Sequence, residues 1–209
     1  LDAANRKSYP ASGTTWTDLS GRGNSGTLTN GPTFSNNAIV FDGTDDHVNC
    51  GTSSVAFTGD ISVFAWIYPT SFKSTFTLII SKWFSPNSSD FHFALRSNIG
   101  NGTNIRLNLF TTSNSDLYGS TTFLINNWYH VGFTLVNGGL LTFYKNGIAD
   151  GTSSGVSRTP QSSTLLIADA RGSSFNFTGR IPQVSIYNRA LSATEIQQNF
   201  NATRGRYGI

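Results

Sequence analysis

Apolar residues recur at every second position in short bursts along this chain, and the bursts stop at Gly, Asn, Asp and Pro. Ile61, Val63, Ala65 and Ile67 fall on one face of an extended segment, and Phe64, Trp66 and Tyr68 on the other. With both faces apolar, this strand is expected at the centre of a sheet covered twice, and Pro69 is expected to end it. Residues 38–41 and 47–50 read as two short strands around the turn Asp42-Gly43-Thr44-Asp45. Further strands are expected at 78–82, 91–96, 105–110, 128–136, 140–145, 164–168 and 181–187, with hairpin turns at Asn137-Gly138-Gly139 and Asn146-Gly147. Roughly ten to twelve short strands of this kind predict two packed antiparallel sheets.

Only the end departs from the period of two. Ser192 and Glu195 stand at capping-box spacing, so a short helix is expected to start there. Ile196 and Phe200, four apart, give it an apolar stripe, and the helix is expected to cap one end of the sandwich.

Composition agrees with an all-β reading and removes several function classes. The chain has 209 residues, 21 of them Gly, and only 12% are charged, which excludes a coiled coil or a charged disordered tail. A core of the size expected for one sandwich domain fits residues 1–209, and no linker divides them. The net charge of +3 comes from Lys and Arg scattered singly, so no nucleic-acid stripe is expected. Cys50 is the only cysteine and excludes an intrachain disulfide; it reads as a small core residue. No apolar run reaches membrane-spanning length. There is no Met and Leu1 stands in mid-pattern, so residue 1 is not expected to be the translated start.

The residues also carry a family resemblance. Asp18 to Leu28 resembles the opening loop of laminin-G-like, concanavalin-fold domains, and Phe41-Asp42-Gly43-Thr44-Asp45-Asp46-His47-Val48 resembles their next motif. Ile61 to Pro69, Trp128-Tyr129-His130-Val131 with Phe143-Tyr144-Lys145-Asn146-Gly147, and Ile186 to Ser192 are similar to the remaining blocks, in order. The opening Leu1 to Asn5 with Ser8-Tyr9-Pro10, and the ending Tyr207-Gly208-Ile209, are similar to forms met in structural proteins of tailed bacteriophages. The resemblance implies a two-sheet jelly-roll sandwich with a short C-terminal helix.

Candidate chemistry is sparse. A glycosidase on such a sandwich needs two facing carboxylates, yet Glu195 is the only Glu and lies in the terminal helix. The expectation is therefore that the chain is not an enzyme. His47, His92 and His130 are dispersed, and with a single Cys they cannot supply a zinc set. For calcium, the loop from Asp18 to Asn24 offers the Asp18 carboxylate, the Asn24 amide oxygen and carbonyls freed by Gly21. The resemblance implies calcium in that loop with a further acid from the late strand, where Pro182-Gln183 stand instead. The other reading is an Asx-type turn in which Asp18 bonds backbone amides.

For glycans, the candidates are Trp83 and Phe84, opening the loop that runs to Asp90, and Tyr118 with Asp116 in a polar loop. Aromatic faces stack on sugar rings and carboxylates accept hydroxyl hydrogen bonds; alternatively Trp83 and Phe84 pack a loop or a neighbouring subunit. The expected function is a structural or adhesive module of a virion, binding host-surface glycans and present in several copies held through Trp83, Phe84 and the tail 204–209. The alternative is a carbohydrate-binding module of a secreted or cell-surface protein.

Overall fold

The computed structural model describes residues 1–52, 56–83, 89–97, 104–113, 116–169 and 174–209. The strands in chain order are β1 (Thr15–Trp16), β2 (Gly26–Thr29), β3 (Thr33–Ser35), β4 (Ala38–Asp42) and β5 (His47–Asn49). They continue with β6 (Ile61–Ser71), β7 (Phe76–Trp83), β8 (Ser89–Ser97), β9 (Ile105–Thr111) and β10 (Leu117–Tyr118). The last are β11 (Tyr129–Leu135), β12 (Gly139–Lys145), β13 (Ile148–Val156), β14 (Leu165–Ile167) and β15 (Thr178–Tyr187), followed by the helix α1 (Ala193–Thr203). Every pairing is antiparallel. One sheet has eight strands in the order β1-β2-β5-β14-β7-β8-β9-β10, and the other has seven in the order β13-β12-β11-β6-β15-β4-β3.

The core lies between the sheets, built from the alternate residues that the period of two marks. Ile61, Val63, Ala65 and Ile67 of β6 meet Phe91, Phe93 and Leu95 of β8 in one buried cluster. Phe133 of β11 lies edge-on to Phe91 and Phe93, with ring centres 5.9 and 5.3 Å away, and so ties the two sheets together. Each such ring, fully buried, contributes about 1.5–3 kcal/mol through loss of apolar surface from water. Cys50 is buried in this cluster, and burial pushes its thiol up to about 12.

β6 is central, as its two apolar faces require, but Pro69 does not end it. The strand runs on to Ser71 because Pro69 sits at a register shift opposite Gly179, where no ladder N–H is needed. The outer face of β6 is covered by the C-terminal helix, which corrects the expectation that the helix caps an end of the sandwich. Phe64, Tyr144, Leu191 and Ile196 cluster beneath it, and Phe200 stacks on Trp66 at 5.7 Å. Gly132 of β11 makes this packing possible, since a Cβ there would stand 2.2 Å from the Phe64 ring.

The helix start follows its local chemistry. The Ser192 hydroxyl accepts from Glu195 N–H, and the Glu195 carboxylate accepts from Ser192 N–H. Arg189 clamps the same carboxylate through two nitrogens, at 2.9 and 2.6 Å. Replacing Ser192 by Ala should lower stability by about 1 kcal/mol, read as a lower urea midpoint with unchanged slope. In the tail after the helix, Tyr207 packs against the chain, 4.2 Å from Trp66 and 4.7 Å from Trp128. Tyr207 so adds to the cover of β6, while Arg204, Arg206 and Ile209 of the tail stay exposed. Among the described residues, no helix is long and apolar enough to cross a membrane.

Candidate functional site

The register of the eight-stranded sheet decides what its outer face presents. Val48, Leu165, Ile167, Phe91 and Phe93 point into the core. Their neighbours therefore point out, and pairing lines up Asn49, Leu166, Ser81, His92 and Phe110 across five strands. At the β5–β14 end this face holds a hollow of about 340 Å³, lined by Asn30, Asp45, His47, Asn49, Leu166 and Asp169. His47 Nδ1 lies 2.9 Å from the Asp45 carbonyl and 3.9 Å from the buried Asp169 carboxylate. Asn30 donates its amide to the Asp45 carbonyl at 3.2 Å. Amides and carboxylates over a leucine floor can pair with sugar hydroxyls and take an apolar ring face.

Phe175 crosses the middle of the same face and packs with Phe76 on Leu78 and Ala94. Beyond it stand two of the residues expected to bind ligand. Tyr118 is half-buried on β10, and the exposed Asp116 precedes it and pairs with Arg96. Of the other two, Trp83 is the last residue of β7, not the start of a loop, and Phe84 lies outside the described residues.

The loop expected to hold a cation folds around Asp18. Its carboxylate accepts from Ser20 N–H at 2.9 Å, Ser20 Oγ at 2.7 Å and Asn24 N–H at 3.0 Å. Partial burial opposes ionisation, but these hydrogen bonds outweigh it and hold the carboxyl below its ordinary value. Gly21 and Gly23 both take φ of +75° in this loop. Asp18 and Asn24 also line a hollow of about 690 Å³ that runs to Cys50, Phe57, Ile167 and Ile186. A second cluster of carboxylates escaped the sequence reading: those of Asp42, Asp45 and Asp46 lie within 4.8 Å of one another. Burial, reinforced by its two acidic neighbours and opposed by the Asp42 N–H, pushes the Asp46 carboxyl up. Its signal was the run Asp42-Gly43-Thr44-Asp45-Asp46, read as a turn and as part of a family motif but not as a cation site. Lys73 Nζ donates to the Gly43 carbonyl in the same turn, at 2.7 Å.

With sandwich and site in view, the class is that of lectin-like β-sandwiches, and the chain belongs to the concanavalin A-like lectin/glucanases superfamily, whose model matches residues 42–197. No curated protein matches the chain in sequence. Among solved structures, the binding domain of Paraclostridial Mosquitocidal Protein 1 is similar at 18% identity and TM-score 0.66, over 89% of this chain and 49% of that one. Trypanosoma rangeli sialidase is similar at 16% identity and TM-score 0.73, over 97% of this chain and 33% of that one. The native heptameric SAP-like pentraxin from Limulus polyphemus is similar at 20% identity and TM-score 0.54, over 75% and 82%. At these identities the likeness is one of fold. The chain thus spans about half of that binding domain and a third of the sialidase.

These structures correct the expectation that the chain is not an enzyme. A lone Glu excludes catalysis only if a sandwich in an enzyme must carry its own carboxylate pair. The same sandwich recurs as about a third of a sialidase chain, so a lone Glu does not exclude a place within an enzyme.

Proposed function

We propose that this chain is a binding and adhesive module that takes up glycans on the outer face of its eight-stranded sheet, as part of a virion or other surface assembly. The hollow at Asn30, His47, Asn49 and Asp169 carries the reading, because it gathers four hydrogen-bonding side chains around Leu166. The virion setting rests on the two ends of the sequence, which resemble phage structural proteins. Several copies of the module, joined by loops and termini, belong to the same proposal. A second reading, a carbohydrate-binding part of a longer secreted protein, draws support from similar structures in which such a sandwich is a fraction of the chain.

Calcium belongs to this reading too, as a ligand of the Asp18, Gly21 and Asn24 loop that lies beside the larger hollow. The test is a glycan array probed with the whole chain, with and without calcium. At least one glycan class should be retained, and Asn49→Ala should reduce its signal tenfold or more. Retention of nothing, or an Asn49→Ala signal equal to the parent's, overturns the glycan reading. A signal indifferent to calcium overturns calcium's part in it.

A further inference from the structure

At the far end of the same face, pairing sets two like charges directly opposite each other. Arg96 of β8 pairs with Arg106 of β9, and Phe76 of β7 pairs with Arg96 on its other side. Such a like-charge pair is unfavourable unless something offsets it. Aromatic faces do part of this: Arg96 lies 4.3 Å above Phe76, and the Tyr118 ring lies 5.8 Å from Arg96 and 5.3 Å from Arg106. Asp116 does the rest for Arg96 alone, through an ion pair at the surface.

Arg106 has no such carboxylate among the described residues. Its one hydrogen bond here is a long one, 3.5 Å to the Gly119 carbonyl. Asp150 stands behind Gly119, but it accepts from Thr121 N–H and forms no ion pair with Arg106. Residues 91–119 carry only three formal charges, Arg96, Arg106 and Asp116. Arg96, Arg106 and Asp116 together carry one net positive unit, and Arg106 is half-buried beside the Tyr118 ring.

We propose that Arg106 and Tyr118, with Arg96 beside them, form a subsite for an acidic sugar, whose ring carboxylate pairs with Arg106 while its C–H face lies on Tyr118. A guanidinium fork matches a carboxylate through two parallel hydrogen bonds, and stacking on tyrosine is what distinguishes a sugar acid from a bare anion. Asp116 is then a positioning residue. It holds Arg96 and lowers the charge of the subsite, and it does not itself accept sugar hydroxyls. The inference rests on the glycan reading of this face and names the class of glycan.

Titration calorimetry on the whole chain tests it, using a glucuronic-acid disaccharide and the same disaccharide with its carboxylate reduced to an alcohol. The acid form should bind at least tenfold more tightly. Arg106→Gln should remove that preference while leaving the thermal midpoint within a degree or two. Asp116→Asn raises the local charge to two positive units and should tighten the acid form threefold or more. Equal binding of the two sugars, a preference that survives Arg106→Gln, or weaker binding by Asp116→Asn would each overturn the proposal. Equal binding still leaves a glycan-binding module, whereas binding of neither sugar removes the subsite, and the array decides the wider reading separately.

Discussion

Asparagine in place of Asp90 should lower the unfolding free energy by about 3–5 kcal/mol, the range for breaking a buried ion pair by removing one partner. Asp90 stands at the start of β8, with none of its side chain exposed, and holds Arg158 through two bonds of 2.7 and 2.8 Å. Arg158 also donates to the Phe57 and Gly59 carbonyls, at 3.2 and 3.3 Å, so it fastens three separated stretches of chain. Lys82 shares this interior with no exposed surface. Burial pushes its ammonium down, the Asp90 charge works against that, and the Arg158 charge works with it. The Asp90 carboxylate thus faces two cations. Removing Asp90 leaves Arg158 and Lys82 facing each other in a medium where repulsion is weakly screened. Removing the arginine instead, as Arg158→Met, leaves Asp90 with Lys82 and a balanced charge. The asparagine variant should therefore lose more stability than the methionine variant, in urea titrations at pH 7. The reverse order would show that Lys82 lies outside the field of Asp90.

That triad illustrates what the sequence could not disclose. Asp90 and Arg158 are 68 positions apart, each a lone charge in a polar stretch. Nothing local separates such residues from solubilising surface charge. The same holds for Arg96 and Arg106, read as two more scattered cations until the β8–β9 register sets them opposite each other. The hollow joins Asn30 to Asp169 through the β5–β14 pairing, and no spacing motif spans that distance. Tyr118 and Asp116 stood out because a lone aromatic and an acid in a polar loop are visible locally.

What was legible is what short-range physics determines. The alternation of 61–68 placed β6 at the centre of its sheet, since few strands are apolar on both faces. The capping box at Ser192 and Glu195 placed the helix start, because both partners lie within one turn. β13 escaped for the converse reason. It is an edge strand, Ile148–Val156, whose residues alternate little and whose Ile148 is 70% exposed. Its pairing with β12, not its composition, makes it a strand. The position of the helix escaped too, because Ile196 and Phe200 mark a buried stripe without saying which surface buries it.

Lowering the pH from 7 to 4.5 should remove about 5 kcal/mol of stability, most of it through His92 and His130. Burial pushes both imidazoles down to about 4 from an ordinary value near 6.5. His130 lies beneath the helix, 5.3 Å from Phe64, 5.1 Å from Trp66 and 6.0 Å from Phe200. Asn146 accepts from its backbone N–H, and Gln183, Ser185, Asn199, Thr203 and the phenol of Tyr187 line the hollow beside it. His92 faces out from β8 beside Phe110, at 5.9 Å. Below pH 6.5 the unfolded chain takes up a proton on each histidine and the folded chain does not. Stability therefore falls as pH drops towards 4, by up to about 1.4 kcal/mol per pH unit for each group. Over two units the pair accounts for about 5 kcal/mol. Asp46 works the other way, since its raised carboxyl takes up a proton first in the folded state. The exposed Glu195, held down at about 2 by Arg189, titrates below this window. His130→Phe keeps an aromatic ring against Trp66 and removes one of the two titrations, so its stability should fall about half as steeply with acid as the parent's. Urea midpoints across pH 4.5–7, followed by tryptophan fluorescence, read this slope directly. An unchanged slope in His130→Phe would mean that the helix does not shield His130 from protons, and that the packing over β6 is looser than the ring distances indicate.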